Sequence, residues 1–206
     1  MKLYQNPASP PCRRVLATVY HLNSPVEMMH VEFGSGEIQK ESYLKMNPNG
    51  AVPTLDDNGF YLWESKAIMQ YLAELKGDHE CWPKDLRKRA DINRWMAWQD
   101  CHLGHACGTL VWEYFVKSMM KMGEPDAKAV AEATEDFHQY ASVLDKQLAD
   151  KKFVCGDKLT LADFSLGSSF MYAGPGKLPM DKYKNIQAWY QRLEGVDAWK
   201  KSTPKF

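Results

Sequence analysis

No Cys-x-x-Cys pair, no cysteine–histidine set at zinc-ligand spacing, no long apolar run and no excess of either charge occur in these 206 residues. Each absence removes a class of function. Lys plus Arg equals Asp plus Glu at 26 each, so no overall field draws in nucleic acid or an acidic membrane, and an anionic ligand must be held by local groups. The five cysteines, Cys12, Cys81, Cys101, Cys107 and Cys155, are odd in number. They fit reduced thiols in a cytosolic protein better than a disulfide scaffold, and no metal is expected. The stretch from Met1 to Pro7 holds no apolar segment of the length of a secretory leader or membrane helix. A cytoplasmic protein with no membrane and no nucleic-acid partner is therefore expected. Internal repeats and low-complexity runs are also missing.

What is present is an ordinary globular composition, 45% apolar and 25% charged, in a length that suits one large domain or two small ones. Residues 2–4 read as a short strand stopped by Asn6-Pro7. Residues 12–22 have apolar positions at helical spacing, and Pro10-Pro11 suits a helix start because the first turn needs no intrahelical amide donor. Residues 26–33 read as a second strand, which makes a right-handed parallel crossover with the first. A weak helical pattern at 39–46 closes at Asn47-Pro48-Asn49-Gly50. Strands at 52–55 and 61–63 flank Asp56-Asp57-Asn58-Gly59, a hairpin signal because Asn-Gly readily takes positive φ. Residues 64–72 form an amphipathic helix. This order, βαβ then ββα, is that of a thioredoxin-like α/β domain. Residues 77–86 read as a linker. Beyond it the pattern is all-α: one long or kinked helix over 86–120, then helices at 125–148, 161–172, 183–192 and 196–200. The expected division is a thioredoxin-like N-terminal domain over 1–76, the linker, and a C-terminal helical bundle over 87–206.

Three segments carry possible chemistry. Ser9-Pro10-Pro11-Cys12-Arg13-Arg14 lies where the first strand turns into the first helix. Ser9 there is either a simple cap or turn residue, or a hydroxyl that donates to a thiolate beside the positive end of the helix. The second role is energetically reasonable. A thiol of pKa ~8.5 is ~3% ionised at pH 7, and lowering it by about two units needs roughly 2.7 kcal/mol, the order of one charge-assisted hydrogen bond plus a helix terminus. In Asn49-Gly50-Ala51-Val52-Pro53-Thr54-Leu55, the Val52–Pro53 bond is either trans at a sheet edge or cis. A cis bond would turn the Val52 backbone toward a ligand that adds as an extra strand. In Trp63-Glu64-Ser65-Lys66, a helix start offers Ser65 and free amides to a carboxylate and Glu64 to an ammonium group, a match for the head of an amino acid. It also reads as an ordinary capped helix.

Taken in order, these three segments resemble the glutathione transferase family, and the likeness runs through the linker and helical part. It is nearest to serine-type members, the theta, delta and phi-like classes and bacterial relatives. The resemblance implies that Ser9 orients the glutathione sulfur, that Val52 before Pro53 pairs with the cysteinyl backbone, and that Glu64 with Ser65 holds the γ-glutamyl end. It also implies a homodimer, a detoxification role, and an electrophile pocket built by the helical domain. Thr160-Leu161-Ala162-Asp163 reads as a capping box, with Leu159 and Phe164 as a hydrophobic staple.

Departures from the family fall at the glycine end of the ligand. Ile38 stands where a histidine is often found, so Lys40 supplies the charge or Gln39 a neutral hydrogen bond, and Ala51 replaces a polar contact. Cys12, three residues after Ser9, raises a redox alternative. His102, His105, Trp112 and Tyr114, with Met119, Met120 and Met122 beyond them, are candidates for an apolar electrophile wall; His105 and Trp112 are the ones taken forward. The leading expectation is conjugation of the glutathione thiolate to hydrophobic electrophiles. Glutathione-dependent peroxide or disulfide reduction, and a non-catalytic ligand-binding scaffold, are the alternatives.

Overall fold

The computed structural model describes residues 1–77 and 79–204. Two compact units divide the chain, Met1–Lys84 with Glu194–Phe206, and Asp85–Leu193.

In the first unit, β1 (Lys2–Gln5) leads through α1 (Pro10–Leu22) to β2 (Glu27–His30). A one-turn 3₁₀ helix at Glu37–Gln39 and the short α2 (Glu41–Leu44) follow. Then come β3 (Thr54–Asp57), β4 (Phe60–Trp63) and α3 (Ser65–Lys76). The sheet order is β2-β1-β3-β4, with β1 parallel to β2 and the other pairs antiparallel. This is the thioredoxin-like arrangement expected. Met28, Leu3, Leu55 and Leu62 stand opposite one another across the four strands, so one row of the pleat is apolar throughout. Leu3 and Leu55 are fully buried.

Helix α1 buries Cys12, Val15, Leu16, Val19 and Leu22, and α3 buries Ile68, Met69, Leu72 and Ala73, the stripes that 3.6-residue periodicity produces. The two helices pack together. The β3–β4 turn is tighter than expected. Asn58 (φ 54°) and Gly59 (φ 92°) alone span it, and a two-residue turn with both φ positive lets the strands extend to Asp57 and Phe60. The weak helix expected at 39–46 is broken by Lys40 in extended backbone, and Tyr43 is the single buried residue of α2.

The second unit contains α4 (Leu86–Cys101), α5 (Leu103–Val111), a π-helical turn at Trp112–Val116, α6 (Lys117–Met119), α7 (Ala127–Gln147), α8 (Leu161–Gly167) with a 3₁₀ turn at Ser168–Phe170, and α9 (Lys184–Glu194). The long helical stretch is a kinked pair. Its break is at His102 (φ −135°, ψ −96°). Gly104 is required just after it, because a Cβ there would lie 2.6 Å from the Gln99 carbonyl oxygen. Buried Gln99 in turn donates to Ser169 Oγ at 2.9 Å. The helix expected over 161–172 stops early, where the Ser168 hydroxyl bonds the Ser165 carbonyl at 2.7 Å.

The last helix, α10 (Asp197–Lys201), packs on α1. The expected division left these residues with the helical domain, whereas their contacts group them with the first unit. Trp199 lies under the Arg13 guanidinium, 4.0 Å from ring centroid to Cζ. Burial of the Trp199 indole, with this cation–π contact, holds the chain end on α1.

Candidate active site

The strand pairing brings the three candidate segments to one end of the sheet. Tyr4, Thr54 and Trp63 form one row across β1, β3 and β4. Because β3 runs opposite to both neighbours, the chain leaves β1 toward Ser9, enters β3 from Val52–Pro53, and leaves β4 toward Glu64, all on the same side of that row. Strands are about 4.8 Å apart, so the row spans about 10 Å, close to the length of an extended tripeptide.

Asn6 shapes the first turn. Its side chain donates to the Val31 carbonyl at 2.9 Å and accepts from the Ala8 amide at 3.0 Å, and its carbonyl accepts from Ser9 N at 3.0 Å. Ser9 then occupies the N-cap of α1 in extended backbone, but its hydroxyl makes no cap hydrogen bond. The capping alternative for Ser9 therefore fails, and the half-buried hydroxyl is left for another partner. Its one electrostatic influence on a nearby thiol is on Cys12, which it favours as the anion. Pro10 and Pro11 carry no N–H, so Cys12 has the first amide of the helix. The backbone contributes less to anion binding here than at an ordinary helix start, and the hydroxyl correspondingly more.

Cys12 itself is fully buried. Burial pushes its thiol up to about 11, against the pull of the Asn6 amide, the Ser9 hydroxyl and the Arg14 charge. A sulfur so placed is protonated at neutral pH and inaccessible, which makes it a poor redox centre.

The Val52–Pro53 bond is cis. The carbonyl just before it, of Ala51, accepts from Tyr43 Oη (2.9 Å), Asn47 Nδ2 (2.9 Å) and Thr54 Oγ1 (3.1 Å). Asn47 Nδ2 also donates to Thr54 Oγ1 at 3.0 Å, and Tyr43 Oη lies 3.0 Å from the same oxygen. Three donors on one oxygen hold the following peptide in a single orientation. Among the described residues, neither backbone group of half-buried Val52 has a hydrogen-bond partner. A free N–H and C=O beside a sheet end are a place for an extended peptide to add. The roles of Tyr43, Asn47 and Thr54 were missed in sequence; Asn47-Pro48 marked a turn and gave no sign of its buried partners.

Glu64 caps α3 with φ 70° and ψ 109°, a region that side chains avoid and that clusters at functional sites. Its side chain is exposed and makes no cap bond, with Ser65 buried behind it. Lys40 is exposed at the junction of the 3₁₀ turn and α2. Ile38 contributes a carbonyl that lies 3.1 Å from where a Cβ would stand on Gly50 (φ 58°), so Gly50 is needed both for its backbone angle and for space.

In the second unit, His105 and Trp112 are exposed, whereas half-buried His102 stacks with Trp98 and Tyr140. Trp112 begins the π-helical turn. Within that turn Glu113 is buried, bonded to Lys117 Nζ at 2.6 Å and to the Asp126 amide at 2.7 Å. Those two donors hold its carboxyl below the usual range. A cavity of about 420 Å³ opens beside it, lined by Tyr114, Ser118, Lys121, Glu124 and Lys177 among others. Neither His105 nor Trp112 lines it, and half of its lining residues are charged. Sequence spacing also gave no sign that His21, His79 and Cys81 meet; their donor atoms lie within 4.8 Å of one another.

A thioredoxin-like unit with a serine at its first helix start, a cis-proline and a second helix start without a side-chain cap, joined to an all-helical unit, defines the class of the thiol transferases. Comparison with known proteins agrees. Residues 3–80 match the glutathione S-transferase N-terminal domain and residues 109–197 the C-terminal domain. Glutathione S-transferase hmp2 of Hypomyces subiculosus is 34% identical over 98% of this chain and 97% of its own. Glutathione S-transferase theta-1 of Mus musculus is 32% identical over 95% and 83%. The solved structure of a delta-class glutathione transferase from Nilaparvata lugens superposes with a TM-score of 0.86 at 30% identity, over 98% of this chain and 92% of that one. The chain belongs to the glutathione S-transferase family.

Proposed function

We propose that the chain conjugates glutathione to hydrophobic electrophiles, with the tripeptide laid across the sheet end defined by Tyr4, Thr54 and Trp63. That three-strand row is the observation the reading rests on. It sets Ser9, Val52 and Glu64 at one end of the sheet with about the reach of the ligand. Ser9 donates a hydrogen bond to the glutathione sulfur and stabilises it as a thiolate. The Val52 N–H and C=O pair with the cysteinyl backbone beside Pro53. Ser65 and the α3 amides take the γ-glutamyl carboxylate, while Glu64 takes its ammonium group. Lys40 meets the glycine carboxylate. The thiolate attacks the electrophilic carbon, a C–S bond forms, and the leaving group departs with its electron pair. Burial of Cys12 supports conjugation over thiol–disulfide exchange.

The same reading carries a homodimer, which the exposed aromatic residues Phe60 and Tyr61 on edge strand β4 support. It also carries a cytoplasmic, detoxifying role. No described helix is long and apolar enough to cross a membrane, and the five cysteines are free. In the second unit, Trp112, Met119, Met120 and Met122 are exposed apolar side chains suited to an adaptable electrophile surface, with His105 beside them in sequence.

The test is retention on immobilised glutathione together with turnover of an aryl halide and of an organic hydroperoxide. Conjugation that is retained in Cys12→Ala and lost in Ser9→Ala supports the reading. Peroxide turnover without conjugation would replace it, and failure to bind glutathione would leave a scaffold.

A further inference from the structure

We propose that His21, His79 and Cys81 form a three-ligand binding site for a borderline-soft divalent cation, with zinc as the best fit, remote in sequence from the glutathione site. The site lies where the last turn of α1 meets the segment that follows α3, wholly within the first unit.

The segment after α3 is already folded as a ligand loop. A bridge pairs His79 with Trp82, and Trp82 N donates to the His79 carbonyl at 2.9 Å. This turn brings Cys81 back onto the His79 ring. Nδ1 lies 3.1 Å from Sγ and accepts from the Cys81 amide at 3.2 Å. From the other side, the His21 ring meets the His79 ring edge-on, with centroids 5.3 Å apart. His21 stands in the last turn of a 13-residue helix, whose negative end favours a cation.

The distances fit the metal. Tetrahedral zinc, with Zn–S ≈ 2.3 Å and Zn–N about 2.0–2.1 Å, holds its donor atoms about 3.3–3.6 Å apart. Here the His79–Cys81 pair is at 3.1 Å and no pair exceeds 4.8 Å. Binding therefore needs His79 Nδ1 to give up the Cys81 amide, the His79–Cys81 pair to open by a few tenths of an ångström and the widest pair to close by about 1 Å, which rotation of side chains supplies.

The chemistry fits as well. Two imidazoles and a thiolate are a zinc-type set and a poor one for magnesium or calcium, which want oxygen. The two half-buried histidines leave an entry path, and the fourth position falls to water or to Glu80, an exposed carboxylate whose charge acts on His21. On coordination the S–H proton goes to solvent, the S–metal bond forms, and no electron is transferred. The bound ion would pin the end of α1 to the chain leaving α3.

Cobalt(II) added to the chelator-treated full chain, without glutathione, reads the site directly. The expected result is one equivalent bound with tetrahedral visible bands and a thiolate-to-cobalt charge-transfer band, both displaced by zinc. The charge-transfer band should vanish in Cys81→Ser and persist in Cys101→Ser, whose parent thiol is the exposed one. Zinc at a hundredfold excess over its Kd should raise Tm by about 5–10 °C in the parent chain, and not in His21→Gln. Folded parent protein without the band, or the band surviving in Cys81→Ser, overturns the proposal. Should Cys81→Ser not fold, His21→Gln decides: weakened cobalt binding with unchanged conjugation supports the site, and unchanged binding rejects it.

Discussion

Trp189 donates its indole N–H to Asp163 Oδ1 at 2.9 Å, although 26 residues separate them. The same oxygen accepts from the Val154 amide at 2.9 Å, and Oδ2 accepts from the Thr160 amide at 2.8 Å and its hydroxyl at 3.1 Å. A fully buried carboxylate thus has four donors, and the capping box at the head of α8 is the anchor of the second unit. Burial raises the carboxyl and these donors lower it, with burial the larger influence. Asp163→Asn turns an amide NH₂ toward at least one of those donors and should cost about 2–4 kcal/mol, whereas Thr160→Ala should cost about 1 kcal/mol. At about 2–4 °C per kcal/mol for a chain of this size, thermal unfolding separates the two. Equal effects would mean that the carboxylate is no more than an N3 cap residue.

Ser9 should matter more here than at a helix start with a full set of amides, because Pro10 and Pro11 supply none. Ser9→Ala should lose at least about tenfold in conjugation rate, about 1.4 kcal/mol. The pKa of bound glutathione, read from thiolate absorbance against pH, should rise with it. An unchanged pKa would place the sulfur's donor elsewhere. Ser9→Thr, which keeps the hydroxyl, should recover part of the loss.

Cys12 makes a prediction of opposite character, about stability at high pH. Its thiol is moved from 9.0 to about 11 by burial. Below pH 9 both folded and unfolded chains hold the proton, so the shift has no effect. Between 9 and 11 the unfolded chain releases it and the folded chain does not, so stability falls as pH rises, by about 2–3 kcal/mol in total. Denaturant unfolding of Cys12→Ala should show a shallower alkaline limb across that window. The limb will not flatten completely, since burial also raises Cys81 and Cys155, each to about 12. Iodoacetamide at neutral pH should label exposed Cys101 long before Cys12.

The local part of this fold was legible in the sequence and the long-range part was not. Asn58-Gly59 announced its hairpin because positive φ at both positions is a property of those two residues. Thr160 and Asp163 announced their box because a cap is closed within one turn. Cys12, Val15, Leu16 and Val19 announced α1 by their period. By contrast, the break at His102 depends on Gln99 needing the space beside Gly104, and the return of α10 depends on Trp199 finding Arg13. Neither partner can be read from its own neighbourhood. The same holds within the candidate site: Ser9, Val52 and Glu64 stood out as local motifs, but the three donors on the Ala51 carbonyl come from Tyr43, Asn47 and Thr54. Only the β3 pairing brings that cluster to the end of the sheet.

Glu64 joins strain and binding in one residue, and the two can be separated. A non-glycine residue at φ 70° costs about 1–3 kcal/mol unless its side chain or backbone position repays it. Glu64→Gly removes the steric cost and the carboxylate together. It should leave stability unchanged or raise it by about 1 kcal/mol, while KM for glutathione rises about tenfold or more and kcat changes little, the pattern for a ground-state contact far from the reacting sulfur. Glu64→Gln keeps the Cβ, and so the backbone strain, and removes only the charge. It should reproduce the KM effect without the gain in stability. A Glu64→Gly chain that is destabilised and binds glutathione normally would mean that the side chain serves the fold, and that the ammonium group of the ligand finds its partner elsewhere.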